Sequence, residues 1–316
     1  MRAEVRDEER PRLRRLMRAA RERDLPIVLD TEEVSLGLGK RSRCWDLAEL
    51  PHPDDVDWST LGPIPVVLVT GTNGKTTTVR LLASIGRAAG RVTGVSSTDW
   101  LAVGDEIIDR DDYAGPQGAR TVLRDPRCDL AILETARGGL LRRGLALERA
   151  DVALITNIAA DHIGEFGVQD VEELADVKWV VTRALDDTGS LVLNADDPRL
   201  VARAGSVDAT LVWFSADPRN PVLRAHTEAG GAGFTLERGR IVLRRGGKTE
   251  AVVPVRRIPI CFGGAARHNV ANALAAAAVG FALGFSIAAI AEGLCALALE
   301  DNPGRANLFE VDGAQV

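Results

Sequence analysis

The sequence predicts an α/β fold, a P-loop parallel sheet with helices on both faces, and two observations carry that expectation. Between 66 and about 215, short apolar runs at 66–70, 130–133, 151–156, 190–193 and 209–213 alternate with helical stretches such as 76–89 and 171–185. Uniformly apolar strands are buried on both faces, so helices must cover them on each side. The second observation is "VVLVTGTNGKTTTVRLLASIG", 66–86, in which a buried strand runs through a glycine loop into a helix. The usual phosphate-loop spacing needs a glycine at 69, where Val69 stands, so the loop is a shortened form, Gly71-Thr72-Asn73-Gly74-Lys75-Thr76.

The remaining elements follow in chain order. Residues 1–62 read as an Arg-rich helix and a mixed segment closing on "LGPIP", a junction before the main body. The first 25 residues hold nine arginines interleaved with six acidic residues and lead into no apolar run, which excludes a signal or transit peptide and describes a solvated amphipathic helix. From about 220 to 260, "GFTLERGRIVLRRGGKTEAVVPV" alternates apolar and polar residues around turns at Arg238-Gly239 and Gly246-Gly247, the pattern of a small antiparallel ribbon. Two Ala-rich helices follow, near 267–283 and 286–298. The main unit is therefore expected over 63–300, and 301–316 as a linker and the start of a truncated further domain. The ending "LFEVDGAQV" reads as a strand entering a tight Asp312-Gly313 turn with nothing beyond to pair with.

Composition narrows the function. A net charge of -6 and a pI near 5.4 provide no bulk field for nucleic acid, so any anion site is local. Cys44, Cys128, Cys261 and Cys295 are far apart, which suggests neither a zinc site nor a disulfide framework. The most membrane-like run, 271–283, is too short to span a bilayer and is preceded by His268, Asn269 and Asn272. A cytoplasmic protein with no membrane and no nucleic-acid partner is expected.

Candidate site residues gather around the loop. The Gly74 to Thr77 amides point at a shared anion site, Lys75 meets the outer phosphates of a nucleotide, and the Thr76 hydroxyl ligates magnesium. "DLAILETARGG" places Glu134 at the carboxyl end of a strand, where ligands of open parallel sheets collect. "DVALITNIAADHIG" does the same for Asn157, with Asp161 and His162 beyond it. Glu134 suits a hard cation, and His162 is a less usual ligand. Taken singly, Glu134 also reads as a surface acid and His162 as a satisfied loop histidine.

"VTGTNGKTTT", "TNIAADHIG", "LNADDP", "RHNVANALAAAA" and "NPGR" stand in the order found in the Mur ligase superfamily, which the chain resembles. These are ATP-dependent amide-forming enzymes that include peptidoglycan peptide-adding ligases and folylpolyglutamate synthase. "DYAGPQGAR" and "LETARGGLLRRGLA" resemble more closely the branch represented by the ligase module of cyanophycin synthetases, and the likeness runs from about Pro65 to Phe309. It implies that ATP phosphorylates a carboxylate, that an amine attacks the acyl phosphate, and that an amide remains while phosphate leaves.

By matching motif, the resemblance implies that Gly71, Thr72, Asn73, Gly74, Lys75, Thr76 and Thr77 hold the phosphates. Glu134 shares the first magnesium with Thr76, and His162 holds a second. Lys178 falls where relatives carry a carbamylated lysine, against the alternative of a solvent-facing lysine. Asn157, Asp196 and Arg305 face the nucleotide, and Asn269 and Asn272 lie on one helix face where relatives bind adenine, against helix capping by Asn269. In "SSTD", Ser97 is a candidate metal residue and Thr98 a substrate residue, unless the stretch is simply a polar loop. Arg137, Arg142 and Arg143 suit an anionic acceptor through bidentate contacts, or are surface charges.

Relatives carry a third domain after "PGR" that binds the amine, and the cyanophycin branch carries an ATP-grasp module; neither is expected in these 316 residues. A stand-alone ATP and Mg2+ dependent ligase joining a small-molecule or peptide carboxylate to an amine is the first reading. A P-loop small-molecule kinase and a catalytically incomplete ATP-binding partner subunit are the alternatives. The N-terminal helix is a candidate dimer contact, which leaves a homo-oligomer open.

Overall fold

The computed structural model describes residues 11–161, 163–164, 167–302, 310–311 and 314–315. Strand β4 (Val66–Thr70) has all five residues buried and lies inside an 11-stranded sheet. Its neighbours are β8 (Leu130–Glu134) and β9 (Val152–Ile155), both parallel to it. Beyond β9 run β10 (Ser190–Asn194) and β11 (Thr210–Ser215), and beyond β8 runs β5 (Thr93–Ser96), all in the same direction. Phosphate-loop and catalytic candidates at the carboxyl ends of these strands therefore emerge along one edge of the sheet.

Antiparallel strands close both sides. β12 (Ala232–Glu237) pairs parallel with β11, then antiparallel with β13 (Arg240–Arg245), which pairs with β14 (Lys248–Pro254). The ribbon expected over 220–260 is thus present as an extension of the main sheet, because Val212↔Ala232 to Ser215↔Thr235 continue the ladder. At the other side, β6 (Leu101–Val103) and β7 (Glu106–Asp109) add a second antiparallel ribbon that the sequence pattern did not single out.

Side chains alternate between two apolar layers, as strand geometry requires. Val67 and Val69 enter the layer with helix α2 (Lys75–Ala88), helix α8 (Arg267–Ala282) and helix α9 (Ile287–Ala296), whereas Val66 and Leu68 enter the layer with helix α3 (Pro116–Arg124) and helix α5 (Val171–Trp179). The alanines at 273–278 are buried, so the small side chains of α8 bring its backbone close to the strands and to α2. Among the described residues no helix is long and apolar enough to cross a membrane.

Helix α1 (Pro11–Arg21) is amphipathic but only half solvated: Leu13, Leu16, Met17 and Ala20 are buried with Val34 and Leu36. Those two valine and leucine side chains belong to β2 (Glu33–Leu36), the middle strand of an antiparallel sheet with β1 (Ile27–Leu29) and β3 (Arg43–Asp46). Arg124 ties this sheet to the main body through Asp30 at 2.6 Å and Glu33 at 3.0 Å. At the chain end, β15 (Glu310–Val311) pairs with β16 (Ala314–Gln315), so the terminal strand does find a partner within the chain. The Asp312-Gly313 turn itself lies outside the described residues.

Helices α2 and α9 touch through a glycine. A Cβ at Gly293 would stand 2.3 Å from the Ile85 Cα, and the Gly293 carbonyl accepts a hydrogen bond from Ser84 Oγ at 2.8 Å. Backbone cannot yield as a side-chain tip does, so Gly293→Ala is expected to lower the unfolding free energy by about 2 kcal/mol. Urea unfolding midpoints of the two proteins check it; an unchanged midpoint would show that the helices separate at no cost.

Candidate active site

The loop leaving β4 is shaped by two glycines and by what they lie against. Gly71 has φ +143° and Gly74 φ +84°, the left-handed region that costs glycine little. A Cβ at Gly71 would stand 1.9 Å from Thr156 Oγ1, and one at Gly74 2.1 Å from Asn272 Oδ1. The residues after β9 hold the loop in register: Thr72 N donates to the Asn157 carbonyl at 2.8 Å and Asn73 N to Asn157 Oδ1 at 3.0 Å. Asn157 Nδ2 and Thr156 Oγ1 in turn donate to the Asn73 carbonyl at 3.0 and 2.7 Å. The adjoining Ile158 N is fixed by Asp197 Oδ2 at 2.6 Å.

Helix α2 then begins with its amino end toward a cavity of about 590 Å³, whose wall includes Thr72, Asn73, Gly74, Lys75, Thr76 and Thr77. Unsatisfied amides and the helix dipole make that end an anion site. Glu134 closes the far wall at 1% exposure, so its reading as a surface acid is set aside. Thr76 Oγ1 and Thr98 Oγ1 lie 3.0 Å apart, and Thr98 N approaches Glu134 Oε2 at 3.4 Å. On the opposite wall Asn269 and Asn272 face the cavity beside Phe214. Asn269 Nδ2 donates to the Ile260 carbonyl at 2.7 Å, and Ala266 rather than Asn269 occupies the cap position of α8.

A second cavity of about 230 Å³ shares Thr72, Lys75 and Thr98 with the first and adds Arg137, Asp161 and Lys178. Lys178 is 4% exposed and donates to the Gly71 carbonyl at 2.9 Å, so it faces inward, correcting the solvent-facing alternative. Burial first, then the positive charges of Lys75 and Arg137, push its ammonium down to about 7 against the opposing pull of Asp161. A third cavity of about 240 Å³ shares Gly138 with the second and is lined by Arg142, Arg143 and the turn around Gly115. Each shares lining residues with the next, so the three sit side by side as a trough of adjacent pockets.

Two expected residues turn elsewhere. Ser97 Oγ donates to the Trp100 carbonyl at 3.1 Å and accepts from Trp100 N at 3.2 Å, which shapes the 97–100 turn; alternation along the strand exit aims Thr98 at the cavity instead. Asp196 accepts from Ser215 Oγ at 2.6 Å, Ala216 N at 2.9 Å and Asn220 Nδ2 at 3.0 Å, so it braces the ends of β10 and β11. His162 and Arg305 lie outside the described residues. Asn194 and Phe214, not singled out in the sequence, line the main cavity at the carboxyl ends of β10 and β11. Asn194 was within reach of the same strand-end argument that found Glu134. Among the described residues no cluster of three or more His, Cys, Asp or Glu side chains is placed to hold a metal. The oxygens within reach of a cation here are the Thr76 and Thr98 hydroxyls and the Glu134 carboxylate.

The depressed Lys178 has a stability consequence. In the unfolded chain it keeps the ordinary lysine value of 10.5, in the fold about 7, so between these values the unfolded state binds the extra proton. Stability contributed at this residue therefore rises from pH 7 to pH 10.5. Lys178→Met is expected to flatten that rise when urea unfolding is compared across the range; parallel curves for the two proteins would refute the shift.

The chain matches the model of the Mur ligase middle domain over residues 69–280. It is 42% identical over 250 residues to a cyanophycin synthetase of Synechocystis sp., a match covering 78% of this chain and 29% of that one. A cyanophycin synthetase of Trichormus variabilis is 41% identical over 252 residues, covering 79% and 28%. The chain thus spans less than a third of the length of these relatives. Among solved structures, a UDP-N-acetylmuramoyl-L-alanyl-D-glutamate–2,6-diaminopimelate ligase superposes with a TM-score of 0.60 at 19% identity, over 80% of this chain and 50% of that one. A bifunctional folylpolyglutamate synthase/dihydrofolate synthase with Mn, AMPPNP and L-glutamate bound gives 0.53 at 23% identity, over 78% and 60%. The match to the middle-domain model covers most of the chain, which belongs to the Mur ligase family.

Proposed function

We propose that this chain carries the nucleotide and acceptor sites of an ATP-dependent ligase that joins a carboxylate to an amine. The observation that carries the reading is the sharing of Thr72, Lys75 and Thr98 between two cavities: the phosphate-loop cavity and a neighbouring pocket that Arg137 and Lys178 also line. A nucleotide site alone would not need that second compartment. The likeness to cyanophycin synthetases supports the reaction class, and the AMPPNP and Mn of the folylpolyglutamate synthase neighbour support the cofactors.

The residues fit those cofactors. Thr76, Thr98 and buried Glu134 offer hard oxygens suited to magnesium, and they line the same cavity as the phosphate loop. ATP supplies the phosphoryl group that turns a carboxylate into an electrophile, and magnesium offsets the charge that moves with it. In this reading the amides of Gly74 to Thr77 and the Lys75 ammonium bind the phosphates, and Asn157 keeps the loop in position. Asn269 and Asn272, with Phe214, form the wall for the base. Arg137 and Lys178 orient the reacting carboxylate, whose attack geometry depends on their fixed spacing. Arg142 and Arg143 hold a further anionic group of the acceptor by forked contacts.

Phosphate release from Mg-ATP tests the proposal, measured across acidic amino acids and peptides with a panel of amines. Release is expected only when carboxylate and amine are both present, and Lys75→Ala is expected to lower it about 100-fold. A stable phosphorylated product without amine would replace the ligase with a kinase, and release indifferent to both substrates would remove the reading. In the same assay Arg142→Ala is expected to raise the half-saturating acceptor concentration about 10-fold while turnover at saturation holds; an equal fall in both would take Arg142 out of acceptor binding.

A further inference from the structure

The buried polar group behind the phosphate helix has no part in the trough, yet it reaches the same residues from the other side. Arg80 lies on α2, one turn beyond Thr76 and Thr77, and is 5% exposed. Its Nη2 pairs with Asp99 Oδ2 at 2.7 Å, its Nη1 donates to Asn302 Oδ1 at 2.9 Å, and its guanidinium stacks on the Trp100 ring at 4.4 Å. Asn302 Oδ1 also accepts from Thr77 Oγ1 at 3.4 Å, and Asn302 itself is 1% exposed. A guanidinium buried this far needs its charge compensated, and Asp99 on Nη2 and Asn302 on Nη1 are the groups that do it together with the Trp100 face. Thr77 and Arg80, three apart on the helix, present one face to Asn302.

Two parts of the chain are fastened by this group. Asp99 follows Thr98, whose hydroxyl stands beside that of Thr76, so the Arg80–Asp99 pair fixes the turn that delivers Thr98 to the cavity. Asn302 follows α9, so its contact ties the segment after α9 back to α2. We infer that Arg80, Asp99 and Asn302 form a positioning clamp that sets the Thr76 and Thr98 hydroxyls for a divalent cation and couples that setting to the segment after α9. The inference rests on the proposed magnesium-nucleotide site. Coupling of this kind is reciprocal: whatever displaces Asn302 weakens the cation site, and a bound cation holds Asn302 in place.

The test is the affinity for a fluorescent, non-hydrolysable ATP analogue, measured once with magnesium and once in EDTA. Arg80→Met is expected to weaken binding about 10-fold in magnesium and to leave the EDTA value within about 2-fold, because partners behind metal ligands act on the metal. Asn302→Leu is expected to follow in the same direction, and Asn302→Asp, which keeps the acceptor oxygen, to restore the magnesium value. Should Arg80→Met fail to fold, Asp99→Ala changes a partly exposed residue and carries the same expectation. Equal weakening with and without magnesium, or none in any variant, would overturn the clamp. A wild-type protein that binds no nucleotide in either condition overturns the underlying functional reading instead, a result that the variants cannot mimic.

Discussion

The site depends on one constraint: the backbone from Gly71 to Gly74 has to stay curled so that the amino end of α2 faces the cavity, and it does so because other segments hold it from two sides. Thr156 and Asn157 bind the loop carbonyls and amides from β9, and Asn272 of α8 fills the space that a side chain at Gly74 would take. Lys178 reaches the Gly71 carbonyl from α5. Loop, Asn272 and buried Lys178 are therefore one packed arrangement. A change at any of them shifts the others, since interiors at close packing transmit displacement.

Strand order explains why so many candidates meet. β5, β8, β4, β9 and β10 lie side by side and run the same way, so Thr98, Glu134, the phosphate loop, Asn157 and Asn194 leave the sheet along a single edge. The charges there are arranged with opposite effects. Lys75 and Arg137 sit close enough to Lys178 to depress it, which concentrates positive potential beside the space where phosphates and a carboxylate would meet.

Much of this was legible in the sequence, and the exceptions have physical causes. The parallel strands were read correctly from their apolar runs because both faces are buried. "TGVS" at 93–96 is equally buried but too short and too small to stand out, so β5 and the ribbon after it were missed. The loop from Gly71 to Thr77 and the strand-end Glu134 were readable because spacing alone sets them out. Ser97 reads as the metal residue and Thr98 as the substrate residue, but adjacent residues point opposite ways and only the sheet shows that Thr98 lines the cavity. Asp196 came from the family motif alone, and its oxygens accept from Ser215 Oγ, Ala216 N and Asn220 Nδ2 at the end of β11. Arg80 and Asn302 meet across 222 positions, a distance over which no local pattern operates.

The central claim is that a carboxylate is activated by phosphoryl transfer in the compartment beside Lys75. Its most direct test follows oxygen: an acceptor labelled with ¹⁸O in its reacting carboxylate is turned over with Mg-ATP and amine, and the released phosphate is weighed by mass spectrometry. The account predicts one labelled oxygen in each phosphate, carried across when the amide forms. Unlabelled phosphate alongside amide product would show that the carboxylate was never phosphorylated and would contradict it.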